Sequence, residues 1–200
     1  MHPDLGEGQP KSTAAAAQKS ALRAQLAANR RQRDNDPEAT AARTARALVA
    51  CSGAAVVAAY AAREFEPATS ELIEALWRDG VLVLLPVLTT APSWAWYTGA
   101  EALRPGPRGI LQPTGPALGA AALARADWIW LPGLAGTIRG DRLGTGGGWY
   151  DRALRHARAD AVTGLLLFDD EVLDEVPLEV WDQPVDVLVT ERRRIDAIRE

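Results

Sequence analysis

From Arg142 to Arg152 the chain reads Arg-Leu-Gly-Thr-Gly-Gly-Gly-Trp-Tyr-Asp-Arg, with four glycines among the five positions 144–148. A backbone without side chains turns tightly and aims successive N–H groups at one point, which is how a loop holds an oxyanion. Arg142 and Arg152 bracket the loop with forked guanidinium donors suited to phosphate oxygens. Glycines alone would equally suit a loose surface turn with solvated arginines. The apolar run 127–132 before the loop and a helical pattern over about 150–158 after it favour the anion cradle. A helix opening at that point adds the positive end of its dipole. Two commoner phosphate loops do not fit. No lysine follows the glycines as in a Walker A loop, and Trp149 stands where a dinucleotide fingerprint needs its third glycine.

Other residues of chemical interest are few. Lys19 and Arg23 lie four apart and so share one stripe of a helix, and Lys19 is one of two lysines against twenty arginines. An isolated basic pair is also what a solvated helix face looks like. Asp151, just after the glycines, is favourable at a helix start whatever else it does. Seven tryptophans stand against two phenylalanines, and Trp94, Trp96 and Trp149 fall outside the strongest core runs. Flat rings of this kind stack on heterocycles, although Trp96 reads equally well as core. Trp128 and Trp130 belong to a strand and read as structural. With His2 and His156 the only histidines and Cys51 the only cysteine, a zinc centre is disfavoured and an internal disulfide is excluded. No Gly-x-Ser-x-Gly elbow supports a serine hydrolase.

The elements that must position these groups follow from periodicity. Residues 1–17 read as a flexible leader, and 18–200 as one domain whose first helix starts near Lys19, with Leu22 and Leu26 on one face. Asp34-Asn35-Asp36-Pro37 is a turn and N-cap cluster ahead of a helix over about 37–51. Strands are expected at 54–60, 81–85, 94–97, 127–132, 162–168 and 185–189, the last of them finishing the sheet. A helix from about 69 to 78 should bury Leu72, Ile73, Leu76 and Trp77. Prolines and glycines over 103–119 argue against regular structure there. Strands alternating with helices imply a three-layer α/β/α domain with a mostly parallel central sheet. The net charge of −4 argues against a broad nucleic-acid surface, and no apolar run reaches the roughly 18 residues needed to span a bilayer. The expectation is a cytoplasmic monomer acting on a small molecule, with no nucleic-acid or membrane partner.

Several of these segments together resemble the 5-formyltetrahydrofolate cyclo-ligases. The run Arg142 to Arg152 is similar to that family's R-L-G-x-G-G-G-Y-Y-D-R, with Trp149 in place of the first tyrosine. Lys19 to Arg23 resembles its K-x-x-L-R, and Glu66 to Ile73 its E-x-x-T-x-x-L-I. Gly80 to Pro86 looks like G-x-x-V-x-L-P, Gly109 to Pro113 like G-I-x-E-P, and Pro177 through Asp182 like P-x-E-x-x-D.

The resemblance implies an ATP- and Mg²⁺-dependent conversion of 5-formyltetrahydrofolate to 5,10-methenyltetrahydrofolate, with ADP and phosphate released. It implies that Lys19, Arg23, Arg142, Gly144, Thr145, Gly146, Gly147, Gly148, Trp149 and Tyr150 bind ATP, with Arg23, Arg142 and Arg152 assisting the reaction. Glu66, Trp94, Trp149 and Tyr150 would contact the folate, and Asp151 and Asp182 would hold Mg²⁺. Glu66 reads equally as a first-turn or capping carboxylate, and Asp182 by itself as a loop residue. The sequence departs from the family at Thr137, where an aspartate is usual, and at Gln112 for glutamate. It departs also at Thr145 for tyrosine and at Glu171 for glutamine. Two other readings remain open at this point. One is a non-catalytic nucleotide- or folate-binding protein of the same fold, the other an ATP-dependent enzyme for a different formyl or amide substrate.

Overall fold

The computed structural model describes residues 10–34, 36–179 and 181–198. Its elements in chain order are α1 (Pro10–Arg31), α2 (Pro37–Ala50), β1 (Val56–Ala58), α3 (Ser70–Arg78), β2 (Leu82–Pro86) and β3 (Trp94–Trp96). They continue with β4 (Leu103–Pro105), β5 (Leu111–Pro113), β6 (Trp128–Leu131), β7 (Ala135–Gly136), β8 (Arg142–Leu143) and α4 (Trp149–Leu154). The last three are β9 (Val162–Leu166), β10 (Val187–Val189) and β11 (Arg194–Asp196).

Seven strands form the central sheet in the order β11-β10-β9-β6-β1-β2-β3. The five inner strands run parallel, while β3 and β11 close the two edges antiparallel. Successive strand residues face opposite ways, so each strand feeds two cores. Val57, Val83, Leu85 and Trp130 pack with Leu72, Ile73 and Leu76 of α3 and Ala47 of α2. Ala58, Leu84, Ile129 and Leu165 pack on the other side with Trp94, Leu123 and Ala153 of α4. This is the expected three-layer arrangement around a mostly parallel sheet. Gly164 has a packing reason, since a Cβ there would come within 2.4 Å of the Trp130 ring on the neighbouring strand. The carboxylate of Asp127 accepts from the N–H groups of Ala55 and Val56, at 2.7 and 2.8 Å, and ties the start of β6 to β1. No helix among the described residues is long and apolar enough to cross a membrane.

Several expectations are corrected. Helix α1 begins at Pro10 rather than near Lys19, because residues 10–17 carry alanines with high helix propensity. Residues 1–9, where the expected leader begins, lie outside the described residues. Trp77 is exposed, and its edge meets Tyr97 with the ring centres 5.8 Å apart, so α3 buries only Leu72, Ile73 and Leu76. The stretch 103–119 contains the β4–β5 hairpin, which turns through Arg108 and Gly109, both at positive φ. Its prolines end the strands rather than prevent them. Helix α4 has six residues and stops at Leu154, short of 158. Beyond β10 the chain folds back as β11, so β10 is not the end of the sheet.

Candidate active site

In a parallel sheet, ligands settle beyond the carboxyl ends of the strands, where the winding direction reverses. Here β1 leads to β2 on one side and neighbours β6 on the other, and that junction is the reversal point. A cavity of about 690 Å³ opens there, with Tyr60, Pro86 and Pro132 at the strand ends as its base. Into it come Lys19 and Arg23 from α1, Glu66 from the β1–α3 loop, all of 144–152, and Asp182. Segments more than 160 residues apart in sequence therefore meet at one place.

The glycine loop is carried by the β7–β8 hairpin. Thr137 closes that hairpin's turn, its hydroxyl donating to Asp141 at 2.8 Å and accepting from the N–H of Arg139 at 3.2 Å. Threonine thus supplies a turn contact at the position where the family resemblance leads one to expect aspartate. Gly146 has φ of 100° and Gly148 φ of 59°, a conformation that a residue with a Cβ adopts only under strain. Among the described residues, none of the N–H groups from Gly144 through Gly148 donates to another group of the protein. A row of unused donors beside a cavity is chemically suited to hold an anion. The contribution expected from a following helix is small, since α4 is less than two turns long.

The cations around the loop are fixed rather than free-swinging. The Nε–H of Arg23 donates to the carbonyl of Gly144 at 2.8 Å. Arg142 is buried and pairs with the carboxylate of Asp151. Arg152 reaches the carbonyl of Gly147 at 3.4 Å and is otherwise exposed. Lys19 is 2% exposed and donates to Glu179 at 2.8 Å and to Asp182. The two expected metal ligands therefore each face a cation, Asp151 facing Arg142 and Asp182 facing Lys19. No group of three or more histidine, cysteine or carboxylate residues suited to a metal occurs among the described residues. Mg²⁺ commonly needs only one or two carboxylates beside phosphate oxygens and water, so two aspartates lining one cavity fit that ion.

The aromatic wall is graded by burial. Trp149 and Tyr150 line the cavity, their rings 4.8 Å apart. Trp94 lies behind both, at 5.4 and 6.4 Å, and is completely buried. Its expected contact with substrate is corrected on this point: it supports the two rings that face the cavity and does not line it. Burial, and next to it the negative charge of Glu66, pushes the Tyr150 phenol above its ordinary range. Glu66 accepts from the backbone N–H of Arg63 at 2.9 Å and from its guanidinium at 2.6 Å. It still borders the cavity. Sequence reading missed Arg63, Glu179 and Trp181 as lining residues. The i,i+3 spacing of Arg63 and Glu66 was a readable signal, and Glu179 falls on the glutamate of the P-x-E-x-x-D run.

Two of the remaining departures, Gln112 and Glu171, are absorbed by local partners. Gln112 is buried and its Oε1 accepts from the N–H of Leu88 at 3.1 Å, holding the β4–β5 hairpin against the end of β2. Glu171 makes a two-point ion pair with Arg30, both contacts at 2.7 Å and both residues buried. Burial opposes the Arg30 charge, but the Glu171 carboxylate outweighs it and keeps that pKa above its ordinary value. Thr145 is exposed at the cavity rim.

Comparisons with known proteins bear on the family and the fold. Residues 15–191 match the model of the 5-formyltetrahydrofolate cyclo-ligase family. A 5-formyltetrahydrofolate cyclo-ligase from Mycolicibacterium smegmatis is 37% identical over 198 residues, which is 90% of this chain and 97% of that protein. One from Escherichia coli K12 is 33% identical over 67% of this chain and 76% of its own. The solution structure of Aquifex aeolicus 5,10-methenyltetrahydrofolate synthetase superposes with a TM-score of 0.78 at 25% identity, covering 91% of this chain and 94% of that one. The synthetase of Mycoplasma pneumoniae, at 15% identity and a TM-score of 0.68, shares the fold over 86% of this chain and 98% of its own. The chain belongs to the 5-formyltetrahydrofolate cyclo-ligase family.

Proposed function

We propose that this enzyme uses ATP and Mg²⁺ to close 5-formyltetrahydrofolate into 5,10-methenyltetrahydrofolate, releasing ADP and phosphate. The observation that carries the proposal is the single cavity in which five unused loop N–H groups, two basic residues of α1 and two aspartates converge. The family membership supplies the substrate class.

A formyl oxygen leaves poorly as hydroxide and well as phosphate, which is why the reaction needs a phosphoryl donor. In the proposed sequence the formyl oxygen attacks the γ-phosphorus and ADP departs. N10 then attacks the activated carbon, the C–O bond breaks, phosphate leaves, and the N10 proton passes to solvent. Catalysis of this kind is mostly positioning and charge neutralisation. The N–H groups of 144–148 with Lys19, Arg142 and Arg152 would grip the phosphates, and Arg23, anchored on Gly144, would approach the oxygen in transfer. Asp151 and Asp182 would hold Mg²⁺, which supplies neutralisation of phosphate charge. Trp149 and Tyr150 offer faces to the flat rings, and Glu66 an acceptor for the pterin N–H groups. No protein nucleophile is required, consistent with the absence of cysteine or histidine from the cavity lining among the described residues.

The test is to mix the protein with 5-formyltetrahydrofolate, ATP and Mg²⁺ and follow the near-ultraviolet absorbance of the methenyl product. Absorbance that rises with time and depends on ATP supports the reaction. A flat trace from a protein that binds ATP would instead favour a non-catalytic binder.

A further inference from the structure

Beside the main cavity lies a second hollow of about 400 Å³, which shares with it a wall made by Arg23, Arg63, Glu66 and Thr145. Its apolar surface comes from Ala24 and Ala27 of α1 and from Phe65 and Leu134. Arg30, Arg31 and the exposed Glu64 complete its lining.

The cations of this annex are not equivalent. Arg30 is committed to Glu171 and to the carbonyl of Gly133, at 2.7 Å each. Arg63 is committed to Glu66. Arg31 makes no hydrogen bond or ion pair with any described residue, and Arg23 engages only through its Nε–H, leaving both terminal nitrogens unused. Eight residues of helix separate Arg23 from Arg31, about 12 Å along α1. The free guanidinium of Arg31 and the two terminal nitrogens of Arg23, outnumbering the one exposed carboxylate of Glu64 in this apolar-floored hollow, suit an extended ligand that reaches over the shared wall and ends in an anion.

The geometry points to an oxyanion subsite in this annex, centred on Arg31 with Arg23 at its entrance. Two sources offer that chemistry: a carboxylate carried on the tail of the substrate, and the inorganic phosphate that the reaction releases. The carboxylate source rests on the proposed reaction, whereas binding of free phosphate can be read without it.

The experiment compares the parent enzyme with Arg31→Glu and Arg31→Lys in two arms. The first measures KM for 5-formyltetrahydrofolate and for 5-formyltetrahydropteroate, which has the same rings but no glutamate. The second measures phosphate binding by calorimetry with a nonhydrolysable ATP analogue saturating the main cavity. A rise in KM of about three- to tenfold for the glutamate-bearing substrate alone, largely recovered by lysine, assigns the annex to the tail. An equal weakening of phosphate binding assigns it to phosphate. If Arg31→Glu raises both KM values together, or leaves KM and phosphate affinity unchanged, the subsite is overturned. A parent enzyme that turns over neither folate contradicts the reaction instead, and the phosphate arm alone then decides the annex.

Discussion

The guanidinium of Arg142 donates to the carboxylate of Asp151, so a side chain expected to hold phosphate is paired with one expected to hold Mg²⁺. Lys19 and Asp182 repeat the arrangement in the same cavity. These ion pairs hold both cations in place before nucleotide arrives. Asp151→Ala would leave Arg142, whose side chain is 4% exposed and whose Nε has no partner, without its carboxylate. The expected cost is about 1–3 kcal/mol of stability in urea unfolding, together with a loss of activity of roughly a hundredfold or more at fixed Mg²⁺. An Asp151→Ala enzyme with unchanged midpoint and unchanged rate would show that this pair serves neither purpose.

The tryptophan wall gives a second prediction, because burial separates two residues that sequence reading grouped together. Trp94→Ala empties a fully enclosed site and should lower stability by about 3–5 kcal/mol. Trp149→Ala removes a cavity-facing ring and should raise KM for the folate several-fold at a smaller cost in stability. The reverse pattern, with Trp94→Ala raising KM in a fully stable protein, would restore Trp94 as a substrate contact.

How far the site was legible follows from which contacts are local. The glycine loop, its flanking arginines and the Lys19–Arg23 stripe are written in consecutive or i,i+4 positions, and so could be read directly. The docking of Lys19 on Glu179 and Asp182 joins residues 160 and 163 positions apart, and no local pattern encodes that. The β4–β5 hairpin was hidden because prolines that break a strand interior are tolerated at strand ends and edges. Trp77 sits at the rim of a buried stripe, where periodicity alone does not say whether a neighbour covers it. Strand β11 is Arg194–Asp196, whose charged outer residues mask the single apolar Ile195 that packs inward.

The Arg30–Glu171 pair joins α1 to the turn after β9, and both partners are buried. Removing one side strands a charge away from water. Glu171→Ala should destabilise by about 3–5 kcal/mol, with Glu171→Gln intermediate because an acceptor for the guanidinium remains. Thermal unfolding of the two variants checks the order. A fully stable Glu171→Ala protein would mean that water reaches Arg30.

All three tyrosines are pushed upward, which predicts a late alkaline titration. Burial, then the Glu74 carboxylate that accepts its hydroxyl at 2.7 Å, raises Tyr97 to about 12. Burial, then the charge of Glu66, raises Tyr60 and Tyr150 beyond that range. A folded-state pKa above the unfolded value of about 10 means that stability is intact below pH 10 and is lost as pH rises towards 12. Ultraviolet titration should show little tyrosinate in the native chain at pH 10, where the urea-unfolded chain is about half ionised. Half-ionisation of the native chain at that pH would contradict these environments.

The central claim is that the backbone from Gly144 to Gly148, between Arg142 and Arg152, grips the phosphates of ATP. A crystal structure with Mg²⁺ and a nonhydrolysable ATP analogue tests it most directly. The account predicts β- and γ-phosphate oxygens within hydrogen-bonding distance of those N–H groups, with Asp151 turned from Arg142 towards the metal. A nucleotide bound in another part of the molecule, with the loop bare and the Arg142–Asp151 pair intact, would contradict it.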